Sequence, residues 1–511
     1  MGNNVKKTVF IKNAAILTAS SLILRFAGII FKVWLATLIG SEGIGLYQLI
    51  FSVYMLASTF ASSGISTAVT RLVAEELALG SKKGTLKILR RSIEITLLIA
   101  IASLSVVYFG AEFIADKFLN DSRAVIALRV LPFSLPFMGI SSCMRGYFIA
   151  RRKASPGAVA QLTEQAVRIL LVVFLVKAFM DKGIAVCCAA VLFGDVISEL
   201  AGCMLLGFTF LSDRKKLGVL SGRSRPPYKI VKKIMNIALP ITSGRYLNTA
   251  LRTGENILVP QNLAKYKHGG NAALSQFGMI KGMALPILFF PSAVLNSVST
   301  LLIPEMSEAA ARNRTAVVKK ATENILKLTA VISFIFGAIF FVAGDKIGVL
   351  IYKDETVGYL LKALSPIVPL MYLDSISDGI LKGLDQQNYT FVTAVLDSVI
   401  RIILVLSLLP FTGLKGFIII MYFSNLFTCL LNVSRLISLS RARFSFLNEI
   451  ILPIVSAVTV TLLANSLLGI LSVGNLLVYI ILLCCISLSL YALLLFMYGT
   501  VTVDEIKGIF K

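Results

Sequence analysis

Long apolar runs alternate with short polar breaks along the whole chain. Each run contains about 20 residues, enough for a helix to cross a hydrocarbon core about 30 Å thick. The breaks are turn-like, as in "IGSEGIG", "SPGA" and "SVGN". The pattern predicts an all-α integral membrane protein; the first run has no small-residue cleavage site after it, so we interpret it as a helix rather than a signal peptide. The expected transmembrane helices, about fourteen, lie near 14–38, 45–67, 92–111, 124–149, 155–178, 184–211, 232–260, 272–303, 322–343, 359–381, 389–410, 413–434, 450–471 and 476–499.

Composition supports this class and removes several others. Of 511 residues, 57% are hydrophobic and 15% are charged, against roughly 25% charged in soluble domains. The seven cysteines all lie in apolar runs without metal-ligand spacing, and the one histidine, His268, lies in a loop. No GxxxxGK[ST] nucleotide-binding loop is present. We therefore expect no enzyme activity, no metal and no cofactor beyond a proton or sodium gradient.

The net charge of +24 is typical of nucleic-acid binding, but its distribution indicates membrane topology instead. Basic residues concentrate in alternate loops, and the loops between them are acidic or poor in Lys and Arg. By the positive-inside rule both termini of this multi-pass membrane protein are cytoplasmic. Attraction to anionic lipid explains the basic loops without a nucleic-acid partner.

An internal repeat relates two halves of the chain. Residues 131–170 match 364–403 without a gap at an offset of 233. The offset equals six predicted helices, so both copies have the same orientation. We predict two parallel six-helix lobes around a central cavity, as in some transporters. The expected divisions are an N-terminal lobe at 1–211, a basic linker at 212–231, a C-terminal lobe at 232–438, and two extra helices with a tail at 439–511.

Two predicted helices carry polar stripes. Arg245, Asn248, Arg252 and Glu255 share one face of the seventh span. The first span carries Thr18, Ser21, Arg25, Gly28 and Lys32, and the eighth adds Lys281 between two glycines. A central Arg or Lys costs roughly 2.5–3.5 kcal/mol in lipid, so these side chains should face protein or a water-filled cavity. The substrate-binding candidates for an anionic ligand are therefore Arg25, Lys32, Arg245, Asn248, Arg252, Glu255 and Lys281. Arg252 and Glu255 can also neutralise each other.

Other buried charges have structural interpretations. Glu164 with Arg168, and Asp397 with Arg401, are acid-then-base pairs four residues apart, which favours structural salt bridges or lobe packing. Asp374 and Asp378 in the tenth span either pair with Arg residues across the bundle or bind a coupling proton or sodium ion. Asp195 and Glu199 in the sixth span present the same choice, with structure favoured.

Three segments resemble the polysaccharide-transporter branch of the multidrug/oligosaccharidyl-lipid/polysaccharide exporter superfamily. They are "SSLILRFAGIIFKVWLATLIGSEGIGLYQLIFSVYMLASTFASSGISTAVTRLVAE", "GYFIARRKASPGAVAQLTEQAVR" and "GILKGLDQQNYTFVTAVLDSVIR". The resemblance implies alternating access, a location in the bacterial cell membrane and a saccharide carried on undecaprenyl pyrophosphate, with lipid II flippases as relatives. Arg25 matches an arginine of those flippases, and Lys281 falls where they carry an arginine. This chain departs from them at Lys32, which replaces an acidic residue, and in its second helix, which lacks a basic residue.

The main hypothesis is therefore a flippase for a lipid-linked saccharide, a peptidoglycan precursor for the spore cortex. One alternative is an exporter of another polysaccharide or of cationic drugs; a cation-rich cavity argues against the drugs. A second is a membrane scaffold that recruits cell-wall synthesis enzymes through its basic loops. A third is an intramembrane glycan polymerase with an essential carboxylate near the outer face. The expected partners are the lipid-linked substrate, membrane lipids and, for a scaffold, those enzymes.

Overall fold

The part of the chain that the computed structural model describes is almost entirely helical and contains no strand. His268 and residues 216–226 of the predicted linker lie outside it. The described residues are 2–62, 64–215, 227–266, 270–443, 445, 447–471 and 473–499.

The helices follow one another with short connections. In the part of the chain that the structure describes, three π-helical turns, at Ile114–Leu119, Met279–Ala284 and Leu447–Ile451, interrupt the α-helical pattern. The α-helices are α1 Gly2–Ser62, α2 Ile65–Ala78, α3 Lys82–Phe109, α4 Ala111–Phe113, α5 Ala124–Val130, α6 Ser134–Ala150, α7 Ser155–Phe179, α8 Ile184–Lys215, α9 Pro227–Lys265, α10 Gly270–Gly278, α11 Leu285–Phe289, α12 Ser292–Ala311, α13 Thr315–Tyr352, α14 Glu355–Leu364, α15 Val368–Gly383, α16 Gln387–Ser440, α17 Leu452–Ile470 and α18 Leu476–Met497.

Within the described residues, 11 helices are long and apolar enough to cross a membrane. The prediction of an all-α membrane protein is confirmed. The smaller count has a physical reason, because α1 and α16 each cover two predicted spans. Each bends at a glycine with positive φ, Gly40 at 73° and Gly413 at 60°, a conformation that glycine adopts without steric cost. Helix α9 is not among the 11, since its polar stripe interrupts the apolar run.

The described residues form two compact units. The first comprises the residues up to Phe31 together with Glu42–Gln261. Its core joins α2, α3, α6, α8 and α9 through side chains that are almost inaccessible to solvent. Representative members are Leu72, Ile88, Tyr147, Leu206 and Ile234.

One surface arginine ties a loop of the first unit to α1. The Arg123 guanidinium lies 2.7 Å from the Glu42 carboxylate and 2.8 Å from that of Asp121. The hydrogen bonds that Arg123 donates to the Asp121 carboxylate raise the pKa of Arg123 above its ordinary value, so the side chain keeps its charge at any pH the protein meets.

The second unit comprises Lys32–Ser41 and the residues from Asn262 onward. In its core, α17 and α18 pack against α13 through Ile335, Val460 and Tyr491. The Tyr491 hydroxyl also donates a hydrogen bond to the Val331 carbonyl, at 3.2 Å. The two helices that fall outside the sequence repeat are therefore packed parts of this unit.

The compact units do not follow the division drawn from the repeat. Helix α9, expected to open the C-terminal lobe, packs within the first unit as far as Gln261. Its Lys233 ammonium lies 3.8 Å from the Glu75 carboxylate of α2, and Tyr246 stacks on Phe60 of α1 at 4.1 Å. The lobes at 1–211 and 232–438 stay a prediction.

Candidate functional site

The predicted polar stripe of α9 lies beside the face that packs on α1. Thr253 donates to the Ser52 carbonyl at 3.0 Å, and Asn256 donates to the Ser52 hydroxyl at 3.0 Å. Residues one position apart along a helix are rotated by about 100° and residues four apart by about 40°, so the stripe borders this contact, with Arg252 four residues before Asn256. Of its members, Arg245 and Arg252 are exposed, Asn248 is half-buried and Glu255 is buried.

The cations of the first span divide between the two units. Arg25 is exposed on the first unit, and Lys32 is exposed on the second. Ser21 is exposed beside Arg25, whereas the Thr18 side chain lies outside the described part. Among the described side chains, the guanidinium groups of Arg25, Arg245 and Arg252 form no ion pair.

Lys281 occupies a π-helical turn of the second unit. The turn, Met279–Ala284, interrupts the helical stretch between α10 and α11, and Lys281 is half-buried in it. Its ammonium lies 5.9 Å from the centre of the Phe417 ring, a cation–π distance. Single π-turns inside helices occur frequently at functional sites. The glycines on either side were a sequence signal for close approach, but not for the π-turn.

The acidic pair of α15 has two different environments. Asp378 lies 2.5 Å from the Lys382 ammonium one turn later, so a neighbouring cation neutralises it. Asp374 instead accepts a hydrogen bond from the Asn432 amide of α16, at 2.8 Å. No ion pair of Asp374 occurs within the described residues. Within this acidic pair, Asp374 is thus the carboxyl whose hydrogen-bond partner is neutral, and Asp378 is the one paired with a cation.

Charges on α6, α7 and α8 of the first unit form an ionic cluster, which we define as Arg145, Glu164, Arg168, Asp195 and Glu199. Arg145 Nη1 lies 3.1 Å from Glu164 Oε1, and Arg168 Nε lies 2.7 Å from Asp195 Oδ1. A second nitrogen of Arg168 lies 3.9 Å from Glu199. A Cβ atom at Gly202 would overlap the Glu164 carboxylate, so this glycine admits the cluster between the helices. The cluster holds three carboxylates and two guanidinium groups.

The pairing in this cluster runs between helices rather than along one. Glu164 and Arg168 lie four residues apart on α7, yet the ion pairs join Glu164 to α6 and Arg168 to α8. Their repeat counterparts have other partners. Asp397 accepts a hydrogen bond from Ser424 at 2.6 Å, and Arg401 lies 3.8 Å from the Met421 sulfur.

Sequence reasoning missed two parts of these polar groups. Arg145 was not singled out, although an arginine inside the fourth predicted span was a usable signal. The buried Asp213 of α8 was also missed. Its carboxylate binds Arg151, accepts from the Tyr147 hydroxyl at 3.0 Å, and lies 2.5 Å from the Lys153 ammonium.

Comparison with known proteins gives a family match and relatives that align over most of their length. The family model described as "Polysaccharide biosynthesis protein" matches residues 10–310. Stage V sporulation protein B of Bacillus subtilis (strain 168) is 29% identical over 419 residues, which cover 80% of each chain. Lipid II flippase MurJ of the same organism is 20% identical over 434 residues, covering 80% of this chain and 79% of that one.

Solved structures share the fold at low sequence identity. A structure of lipid II flippase MurJ in an inward closed conformation superposes with a TM-score of 0.70 and 16% identity, covering 94% of this chain and 98% of that chain. An inward-facing multidrug resistance transporter of the MATE family gives a TM-score of 0.64 at 14% identity, with 83% and 100% covered. The fold is therefore that of this group of membrane transporters.

The family match covers more than half of the chain and includes the first two of the three segments on which the sequence resemblance rested. The resemblance is confirmed, and this membrane protein belongs to the polysaccharide biosynthesis protein family.

Proposed function

We propose that this protein is a flippase that moves a saccharide linked to undecaprenyl pyrophosphate from the cytoplasmic to the outer face of the cell membrane. The cargo is a peptidoglycan precursor for the spore cortex, and transport proceeds by alternating access. One observation carries the proposal: Arg25, Arg245 and Arg252 are exposed on helices of predicted membrane spans and form no ion pair among the described side chains.

Exposed cations at membrane depth require an aqueous or anionic environment. Three guanidinium groups facing lipid would each cost roughly 2.5–3.5 kcal/mol. A water-filled transport path removes that cost, and a pyrophosphate group in it supplies the counter-charge. Arginine binds such a group through paired hydrogen bonds, whereas Lys32 and Lys281 act as point charges.

Asn248 is half-buried and adds an amide, which is both donor and acceptor, to the basic face of α9. Sugar hydroxyls are donors and acceptors at once, so Asn248 fits the saccharide part of the substrate, whereas the buried Glu255 is the weaker candidate. The phosphates would then lie nearer Arg245 and Arg252.

A proton or sodium gradient drives the cycle in this proposal, with Asp374 as the coupling carboxyl. The neutral Asn432 amide leaves Asp374 able to exchange a cation, whereas Lys382 already neutralises Asp378. Asp378 is therefore the weaker candidate of the two.

Translocation in reconstituted vesicles tests the proposal. We expect R25A, R245A and K281A, each alone, to lower translocation of a labelled undecaprenyl-pyrophosphate-linked saccharide at least tenfold, because each removes a cation that contacts phosphate. R90A is the matched control, since Arg90 is an exposed arginine paired with Glu94 at 3.0 Å. Expression and thermal stability of each variant are measured in parallel.

Wild-type rates in all three variants would overturn the proposed role of these cations. Transport of cationic drugs without transport of the lipid-linked saccharide would show that the protein is a drug exporter instead.

An association with cell-wall synthesis enzymes is a separate part of the proposal, and crosslinking at the basic loops in sporulating cells checks it.

A further inference from the structure

One carboxylate of the ionic cluster is in excess. Arg145 is committed to Glu164 at 3.1 Å, and Arg168 is committed to Asp195 at 2.7 Å. Glu199 has only the far side of Arg168, at 3.9 Å, which is the limit of an ion pair. With every group ionised, the cluster would carry one uncompensated negative charge.

The excess charge falls where the protein supplies no hydrogen bond. Glu199 Oε2 is inaccessible to solvent and has no hydrogen-bond partner among the described residues. The same holds for the hydroxyl of Ser141, a fully buried residue of α6. An ionised carboxylate in such a setting is costly, whereas a protonated one is neutral and gains a donor.

The sequence repeat relates this position to the Asp374 site. The offset of 233 continues beyond the matched segment, because Lys182 and Gly183 correspond to Lys415 and Gly416 without a gap. Continued along α8, it places Glu199 at the position of Asn432. It places Ser141 at the position of Asp374.

Each unit therefore has one carboxyl and one neutral polar group at this pair of helix positions. The carboxyl lies on the second helix of the pair in the first unit, as Glu199 of α8, and on the first helix of the pair in the second unit, as Asp374 of α15. In the second unit the amide of Asn432 holds Asp374 at 2.8 Å. In the first unit Glu199 is the carboxyl, and Ser141 is the neutral group on the facing helix.

We propose that Glu199 is a proton-binding residue of the first unit and that, given the proposed function, its proton is taken up and released during transport. The proton comes from water and adds to the Glu199 carboxylate to give a neutral acid; no other bond changes. Glu164 and Asp195 stay ionised against their own arginines. The titratable and charged groups that act on Glu199 are Arg145, Glu164, Arg168, Asp195, Tyr54 and Cys203.

The surroundings favour a proton over a metal cation. Within the described residues, no group of three or more acidic, Cys or His side chains converges as metal ligands do. The two guanidinium groups of the cluster also repel a second cation, whereas a proton converts Glu199 into an uncharged group and leaves the ion pairs in place.

Infrared difference spectroscopy of the full-length protein in lipid nanodiscs tests the proposal directly. We expect an acidic-minus-alkaline spectrum to contain a protonated-carboxyl component that is lost in E199Q and shifted in frequency in E199D, while the component of Asp374 stays in both variants. D345N is the control, because Asp345 pairs with Lys362 on an exposed surface. In vesicles, the translocation rate of E199Q should respond less to a pH gradient than that of the wild type, because Asp374 is then the remaining carboxyl of the two.

The possible results separate this inference from the proposed function. An unchanged band in E199Q, or a wild-type band abolished by sodium ions at constant pH, overturns the proton assignment even if translocation proceeds. If wild-type vesicles translocate no lipid-linked saccharide but E199Q loses its component of the band, the proton site stands and the proposed function fails. Thermal unfolding of E199Q and E199D confirms that both variants are folded.

Discussion

At the residue scale, Asp213 holds two cations of the connection between α6 and α7. Its side chain is buried, Arg151 is mostly buried, and Lys153 is about half exposed. We expect D213N to destabilise the protein by about 3 kcal/mol, because the neutral amide leaves two cations without their counter-charge. The measurement is thermal unfolding in detergent micelles of fixed lipid content.

Lys153 provides the matched control for Asp213. Because its ammonium is half exposed, K153A should cost less than about 1 kcal/mol, as exposed ion pairs do. Equal losses in D213N and K153A would show that burial of the carboxylate is not what makes this contact important.

The sequence predicted which charged residues are buried in the helix bundle better than it predicted the residues with which they form ion pairs. Glu164 and Arg168 were recognised as a candidate pair. A four-residue spacing permits an ion pair along the helix without requiring it, and tertiary packing directs Glu164 to α6 and Arg168 to α8 instead. The repeat also misleads at this scale. Arg145 corresponds to Asp378, a change of sign, so the ionic cluster of one unit has no copy in the other.

At the element scale, the bend in α16 depends on Gly413. Its φ is +60°, and a Cβ atom built there lies 2.5 Å from the Tyr266 ring. We expect G413A to cost about 1–3 kcal/mol, from left-handed backbone strain and from the ring contact. Thermal unfolding of G413A, Y266A and the double variant separates the two causes, because only the ring contact is relieved when both residues are changed.

Gly207 of α8 is the control for Gly413. It has helical backbone and open space where a Cβ would go, so G207A should be neutral or stabilising by up to about 1 kcal/mol. Equal effects of G413A and G207A would contradict a special backbone role for Gly413.

Hydrophobic length and turn residues predicted most of the helices, since both follow from membrane thickness and glycine geometry. The prediction of separate spans on either side of Gly40 and Gly413 anticipated the two bends. The π-turn at Lys281 was not predictable in this way. Its extra residue per turn is set by packing, and the 3.6-residue pattern does not record it.

At the scale of the whole molecule, the repeat and the compact units give different divisions. The repeat records duplication of a six-helix segment, and it says nothing about which neighbours a helix packs against after folding. Helix α9 lies within the first unit because Thr253, Asn256 and Tyr246 contact α1 of that unit. Tertiary contacts of this kind cannot be predicted from the periodicity of hydrophobic residues along the sequence.

Membrane orientation is the remaining property of the whole chain that the sequence predicts, and cysteine labelling checks it. In a background with the seven native cysteines replaced, D116C and E355C should react with a membrane-impermeant maleimide in intact cells. K83C and R314C should react only after permeabilisation, because basic loops are retained in the cytoplasm. All four positions are exposed on the protein, so burial does not limit their reaction. The reverse labelling pattern would invert the topology and, with it, the proposed direction of transport. Labelling of all four from one side would instead contradict the odd number of spans predicted between a basic loop and an acidic loop.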